Sequence, residues 1–466
     1  GVAQISEALA GLDDIDAVHI LSHGAAGQIQ LGSTTLSTGS LDGHAGLLND
    51  WGSALAESGD ILIYGCDLAA DEQGRALVDA IGVMTGADVA ASVDPTGHAA
   101  QGGDWDLEYR AGVVDVAAFS PGEFPVWQGT LASITVNTTA DVLDADADTS
   151  SLAALALNPG SDGFVSLREA VIAANNTNET DTIFLSGGTY LLDLIAGGPD
   201  QEHGDLDLSD PLHIVGSGAS STIIDGNGTD RIFEFGSDSD GSSLSGVTLQ
   251  NGDAGTGDGG AILTQRALTI SDAELVGNTA KNGGAILAND TLTLERVTID
   301  GNSSQNGGGV LINSGSGHSL TNVTLSGNTA TSGSGGGLDI KATATLTNVT
   351  IANNSAWANG GGLHNGGFAV TVSNTLIADN TASGSGNDAF GAFTSDGSNL
   401  VEDISGATGF GGGDITGVDP NLQALANDGG DIRVLALGGG SAAIDNGDSG
   451  SAAIVDARGF LRGDGS

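Results

Sequence analysis

VTIDGN (297–302), VTLSGN (323–328) and VTIANN (349–354) follow one another at a spacing of 26 residues, each alternating β-branched and polar positions before an asparagine. Extended outward, the same phrase ends at Asn251, Asn278, Asn302, Asn328, Asn354 and Asn380, with spacings of 27, 24, 26, 26 and 26. Between successive asparagines a glycine pair leads into another apolar run, as in Gly259-Gly260, Gly283-Gly284, Gly308-Gly309, Gly336-Gly337 and Gly361-Gly362. A unit this short cannot bury its own apolar face, so it must stack on its neighbours as a solenoid. Short Val/Ile/Leu/Thr strands with Gly or Asn at the corners predict a right-handed parallel β-helix rather than a leucine-rich horseshoe, whose LxxLxL phrase is missing. All six asparagines are expected to stack as an internal ladder, because Asn tolerates positive φ and its amide can bond the next coil.

Composition narrows the function classes. Of 466 residues, 59 are acidic and 11 basic, a net charge of −48. That balance repels nucleic acid and anionic membranes and favours solubility in salt or hard cations. Cys66 is the only cysteine, so no intrachain disulfide can form. No stretch approaches the 18 apolar residues that a membrane span requires, so direct membrane insertion is not expected. The first residues enter directly into a helical pattern, and the chain reads as an excerpt from something longer.

Two domains are expected. Residues 1–131 alternate helix and strand, which predicts an α/β domain with a mostly parallel sheet flanked by helices. Residues 132–466 are almost all short strands and turns, with regular repeats over about 244–382. The exception is a helix over 166–175, announced by Ser166 and Glu169 as a capping box. Placed ahead of the solenoid, it is expected to cover the first coil.

Several phrases carry resemblances. SDGFVSLREAVIAAN (161–175) resembles the CSLREA-type motif that precedes β-helices in bacterial surface proteins, with Val165 in place of the cysteine. The repeats are similar to those of polymorphic outer-membrane proteins and pectate-lyase-like β-helices. The ending, from AAIDNG (442–447) to DARG (456–459), resembles the closing segment of β-helix domains that precede bacterial surface anchors. HILSHG (19–24), IYGCDLA (63–69), GRAL (74–77) and GGDWDL (102–107) resemble a bacterial domain of unknown function found near the N-termini of giant adhesin-like proteins, in which a strand and loop usually precede the point where this chain starts.

An apolar strand ending in His-Gly and a second ending in Gly-Cys also resemble the caspase and gingipain group of cysteine peptidases. Two adjacent parallel strands would deliver His23 and Cys66 to one sheet edge. There the imidazole would take the thiol proton, and the amides of Gly24 and Cys66 would face an oxyanion. Asp67 opposes this, since a neighbouring carboxylate raises a thiol pKa. A lone cysteine at a strand end also serves simply as a small core residue.

Acidic runs nominate calcium as the possible cofactor: Asp141, Asp144, Asp146 and Asp148 in one loop, and Asp205 and Asp207 in another. Neither run matches an EF-hand or the glycine-rich calcium nonapeptide, and an acidic run is commonly a solvated face. The histidines are too scattered for a zinc site. Lyases of this architecture use Arg or Lys beside carboxylates, but basic groups are scarce here.

The sequence therefore predicts a structural or adhesive extracellular segment of a large bacterial surface or fibre-forming protein, with the β-helix as rod and binding face. Its expected partners are like chains and extracellular or cell-surface glycans. A self-processing cysteine peptidase and a polysaccharide-cleaving β-helix are the alternatives.

Overall fold

The computed structural model describes residues 1–22, 24–31, 34–94, 96–97, 104–119, 133–177, 180–193, 204–448, 455–460 and 462. A mostly parallel sheet with a few helices is followed by a long parallel β-solenoid of about 12 turns.

In the first region the sheet order is Ile15–Leu21, Leu55–Tyr64, Asp88–Ala91, Tyr109–Ala111. The first three strands are parallel and the last antiparallel. Helices Val2–Leu9, Ala45–Ala54 and Glu72–Thr85 supply the crossovers and cover. The third is well delimited: the Asp71 carboxylate accepts from Gly74 N–H at 2.8 Å, and Gly86 closes the helix in the left-handed region. Its Leu77, Val78 and Ile81 bury against Ile61, Ile63 and Val89. A small antiparallel sheet over Gly24–Ala25, Gln28–Leu31 and Thr34–Ser37 was not expected, because its strands are too short to show a period.

The solenoid core consists of identical positions in vertical register. Ile270, Leu294, Leu320, Leu346 and Val372 form one file, and Leu275, Ile299, Leu325, Ile351 and Ile377 a second. Ile262, Ile286, Val310, Leu338 and Leu363 on the nine-stranded sheet form the third. All are fully buried, each contributing about 2 kcal/mol of apolar burial.

Helix Leu167–Asn175 closes the first coil, its Leu167, Ala170, Val171 and Ala174 joining the same core. The capping box forms: Ser166 Oγ accepts from Glu169 N–H, and Glu169 Oε2 from Ser166 N–H at 2.9 Å. A short helix, Leu152–Leu157, adds Leu152 and Leu155 to the cover; six residues are too few to reveal a period.

The inner ladder runs from Asn278 to Asn380. Asn278 N–H and Nδ2 both donate to Asn302 Oδ1 at 2.8 and 3.0 Å, and the pattern repeats at Asn302, Asn328 and Asn354. Each Nδ2 also reaches a strand carbonyl, such as Ile299 O from Asn328. Asn251 stands outside this ladder. It lies one position early at an exposed corner with φ 55° and donates to Asp225 Oδ2, while Gly252 N–H makes the ladder contact to Asn278. The odd spacing of 27 reflects that offset. At the other end Asn380 donates twice to Asp388 Oδ1. A carboxylate accepts without donating, so it ends a chain of donors without leaving an orphan.

Glycines set the turn opposite. Gly283 and Gly307 have φ near +62°, and a Cβ on the following Gly284 would lie 2.0 Å from Gly308 O. Only glycine allows coils to approach so closely there.

Candidate functional site

The strand ends of the first region meet as the sequence suggested. Leu21 and Tyr64 are register partners, Ser22 N–H donates to Tyr64 O at 3.0 Å, and Gly24 packs on the backbone of Gly65 and Cys66. His23 itself lies outside the described residues. Cys66 is 1% exposed, and its sulfur accepts from Thr96 N–H at 3.1 Å. Burial pushes the thiol up to about 12, the Thr96 hydrogen bond opposes that, and Asp67 and Asp94 add to the rise. A thiol so placed is neutral at physiological pH, whereas the nucleophile is the thiolate.

Beside Cys66, Asp94, Asp104 and Glu108 bring carboxylate oxygens within 4.8 Å of one another. Partial burial, then Glu108 and Asp104, raise Asp94 to about 6. This trio is hard to see in the sequence, because its members come from two separated segments. On the opposite face of the sheet, Tyr64 OH accepts from Phe119 N–H and pairs with His19 Nδ1 at 3.1 Å, within an aromatic group that includes Trp105.

The acidic residues singled out for calcium divide. Arg168 takes both oxygens of Asp141, at 2.7 and 2.9 Å, in a buried bidentate pair. Asp144 Oδ2 accepts from Asp162 N–H, Asp146 Oδ1 from Ser161 N–H, and Asp148 Oδ1 from both groups of Ser150. Glu169 Oε1 accepts from Asp144 N–H at 2.8 Å. The Arg and Glu of the SLREA phrase thus bolt the capping helix to this loop, and among the described residues these four aspartates make no common cluster. Asp205 and Asp207 do converge, with Glu234, but Arg231 already donates to Asp205 at 2.8 Å and pairs with Glu234. Burial outweighs Arg231 and raises Asp205 to about 6.

Three flanks of the solenoid have different fates. The first region meets the early coils: Ala25 packs on Phe184 and Val215, and Ser133 Oγ donates to Gly24 O at 2.6 Å. A cavity of about 1010 Å³ at this junction is lined by His44, Asp272, Glu295, Arg296, Asp431 and Arg458 among others. Arg296 occupies a solenoid corner at φ 54°, where Asn322, Asn348 and Asn374 stand in later coils; two bonds to Asp272 hold it there.

A second flank lies under the closing segment, which runs back along the coils. Arg433 pairs with Glu274 at 2.8 Å and Asp300 at 3.1 Å, and its carbonyl accepts from Thr298 Oγ1. Further along, Asn322 donates to Val455 O, and Asn374 exchanges hydrogen bonds with Asp448.

The third flank is the nine-stranded sheet, which no hydrogen bond from the first region or the closing segment reaches among the described residues. Its outward row reads Glu234, Leu263, Leu287, Leu311, Asp339, His364, Phe390. His364 Nδ1 meets Asp339 Oδ1 at 2.6 Å, and Lys341 Nζ lies 3.5 Å from the other oxygen. The His364 ring stacks on Phe390 with centroids 5.5 Å apart.

An α/β domain joined to a parallel β-solenoid is therefore the class of protein that the fold defines. Residues 1–131 match the family described as Domain of unknown function (DUF4347). No curated protein and no solved structure matches the chain. Among the described residues, no helix is long and apolar enough to cross a membrane.

Proposed function

We propose that this chain is a structural and adhesive segment of a large bacterial surface or fibre-forming protein, acting outside the cell with its solenoid as rod and binding face. One observation carries the reading: two flanks of the solenoid are engaged by the chain's own termini-proximal segments, while among the described residues no hydrogen bond from either segment reaches the nine-stranded flank. Stacked coils present long rows of repeated side chains, suited to extended partners rather than to a small substrate. The partners in this reading are like chains and surface glycans. The acid surplus fits an exposed, salt-tolerant molecule that stays apart from nucleic acid and anionic lipid.

The test is retention. Purified chain is applied to bacterial cells and extracellular matrix at physiological salt, with sedimentation velocity reporting self-association. The expected result is saturable retention or concentration-dependent association. A chain that stays monomeric and unretained on every surface defeats the proposal.

A further inference from the structure

The regular repeats over 244–382 contain two aromatic residues, Trp357 and Phe368, and neither serves the core. Trp357 is 65% exposed and Phe368 45% exposed, and both belong to the coil that carries His364. Phe390 follows in the next coil, already stacked on the imidazole. Lys341, 40% exposed at its side chain, comes from the preceding coil; its Cγ and the Phe368 ring lie equally close to Gly366, each 3.6 Å from where a Cβ would stand. His364 and Phe390 thus stand in the row that holds Leu263, Leu287 and Leu311 in earlier coils, with Lys341 and Phe368 beside them.

The polar groups are oriented. Asp339 is 2% exposed at its side chain and fixes His364 through Nδ1, which must donate to the carboxylate. Nε2 has no hydrogen-bond partner among the described residues. An imidazole locked at one nitrogen and open at the other, beside an ammonium group and aromatic faces, matches a sugar ring. Aromatic faces take the ring's C–H surface, while Nε2 and Lys341 bond its oxygens. The sugar's charge follows from the rest of the molecule. A chain of −48 repels polyanions over distances that one lysine cannot offset, so uronate polymers are disfavoured.

We propose that His364 and Phe368 of one coil, with Lys341 and Phe390 from its neighbours, form a binding site for an uncharged pyranose glycan on the nine-stranded flank. This rests on the adhesive reading and gives it a place and a ligand class.

Affinity electrophoresis of the full chain through a soluble glucan, a mannan, a galactan and a polyuronate provides the test. At least one neutral polymer retards the chain, and Phe368→Ala and Lys341→Ala each weaken that retardation about tenfold. Both substitutions lie on the surface, so unchanged far-UV circular dichroism and melting keep the comparison interpretable. Stronger retardation by the polyuronate, or none by any neutral polymer, overturns the ligand class. Retardation that neither substitution alters overturns the site. In either failure, surface retention or self-association of the chain still stands or falls separately, so the adhesive reading is judged on its own measurement.

Discussion

The first region and the solenoid are built from the same strand-forming residues but spend them differently. In the first region each strand has a unique neighbour, and order depends on contacts such as Ile63 with Val89 or Trp51 Nε1 with Ser6 that occur once. In the solenoid each coil makes the contacts of the coil before it, as the Asn302, Asn328 and Asn354 amides show. Unique contacts can hold a thiol or an imidazole in one place; repeated contacts give length and a flank. Whatever is individual in the solenoid therefore stands out, which is why the capping loop, the closing segment and the His364 coil draw attention.

The capping helix offers the sharpest way to break this contrast, because it is a unique device on which repeated coils depend. Arg168→Ala takes the guanidinium from the buried Asp141 carboxylate and is expected to cost about 4 kcal/mol, read as a lowered urea midpoint. A loss under about 1 kcal/mol would mean that the first coil does not need its bolt. Next comes the ladder. Asn328→Ala orphans the buried N–H of Asn302 and takes one acceptor from its Nδ2 and one donor from Ile299 O, an expected loss of about 3 kcal/mol. Asn251→Ala, at the corner one position off, should cost about 1 kcal/mol, chiefly the strain of alanine at positive φ. Equal effects at the two sites would refute the division between inner ladder and outer corner.

Cys66 sharpens the comparison from the other side. With its thiol near 12, iodoacetamide at pH 8 should label it only on global unfolding; fast labelling of the folded chain would reopen the peptidase alternative. The linkage has a defined sign. The folded state holds this proton more tightly than the unfolded state, so the contribution is full below about pH 8.5 and is lost as pH rises from there towards 12. The smallest effect is expected from chelation. Arg168 and Arg231 already neutralise the acidic groups near the cap, so EDTA should move the melting temperature by no more than about 1 °C. A shift of several degrees would point to a calcium ion, with Asp94, Asp104 and Glu108 the first place to look.

Legibility followed the same divide. The first region was legible because the apolar run in strand Leu55–Tyr64 and the period of helix Glu72–Thr85 are clear, and the solenoid was legible because its asparagines and glycines recur. What repeats can be counted. The ladder's end at Asp388 could not, since it falls eight residues after Asn380, outside the period. Arg433 against Glu274 could not either, since 159 residues separate them and nothing local marks the pair. The acidic loop misled for a related reason: composition shows carboxylates, but not that Arg168 and backbone amides already occupy them. His364 looked isolated because Asp339 lies 25 residues away in sequence and one coil away in space.

The Asn ladder also makes the molecule a ruler with fixed graduations. Every interior rung passes the same pair of hydrogen bonds to the next, and only the two ends, at Gly252 and Asp388, are chemically different. A whole 26-residue coil removed from the interior, such as 329–354, would let Asn328 meet Asn380 as it now meets Asn354. Length then changes in steps of about 4.8 Å, the spacing of hydrogen-bonded strands, while the capped end keeps its fittings. A partial coil has no such place to close. Reach can thus be lengthened or shortened by duplication and deletion without redesigning the cap.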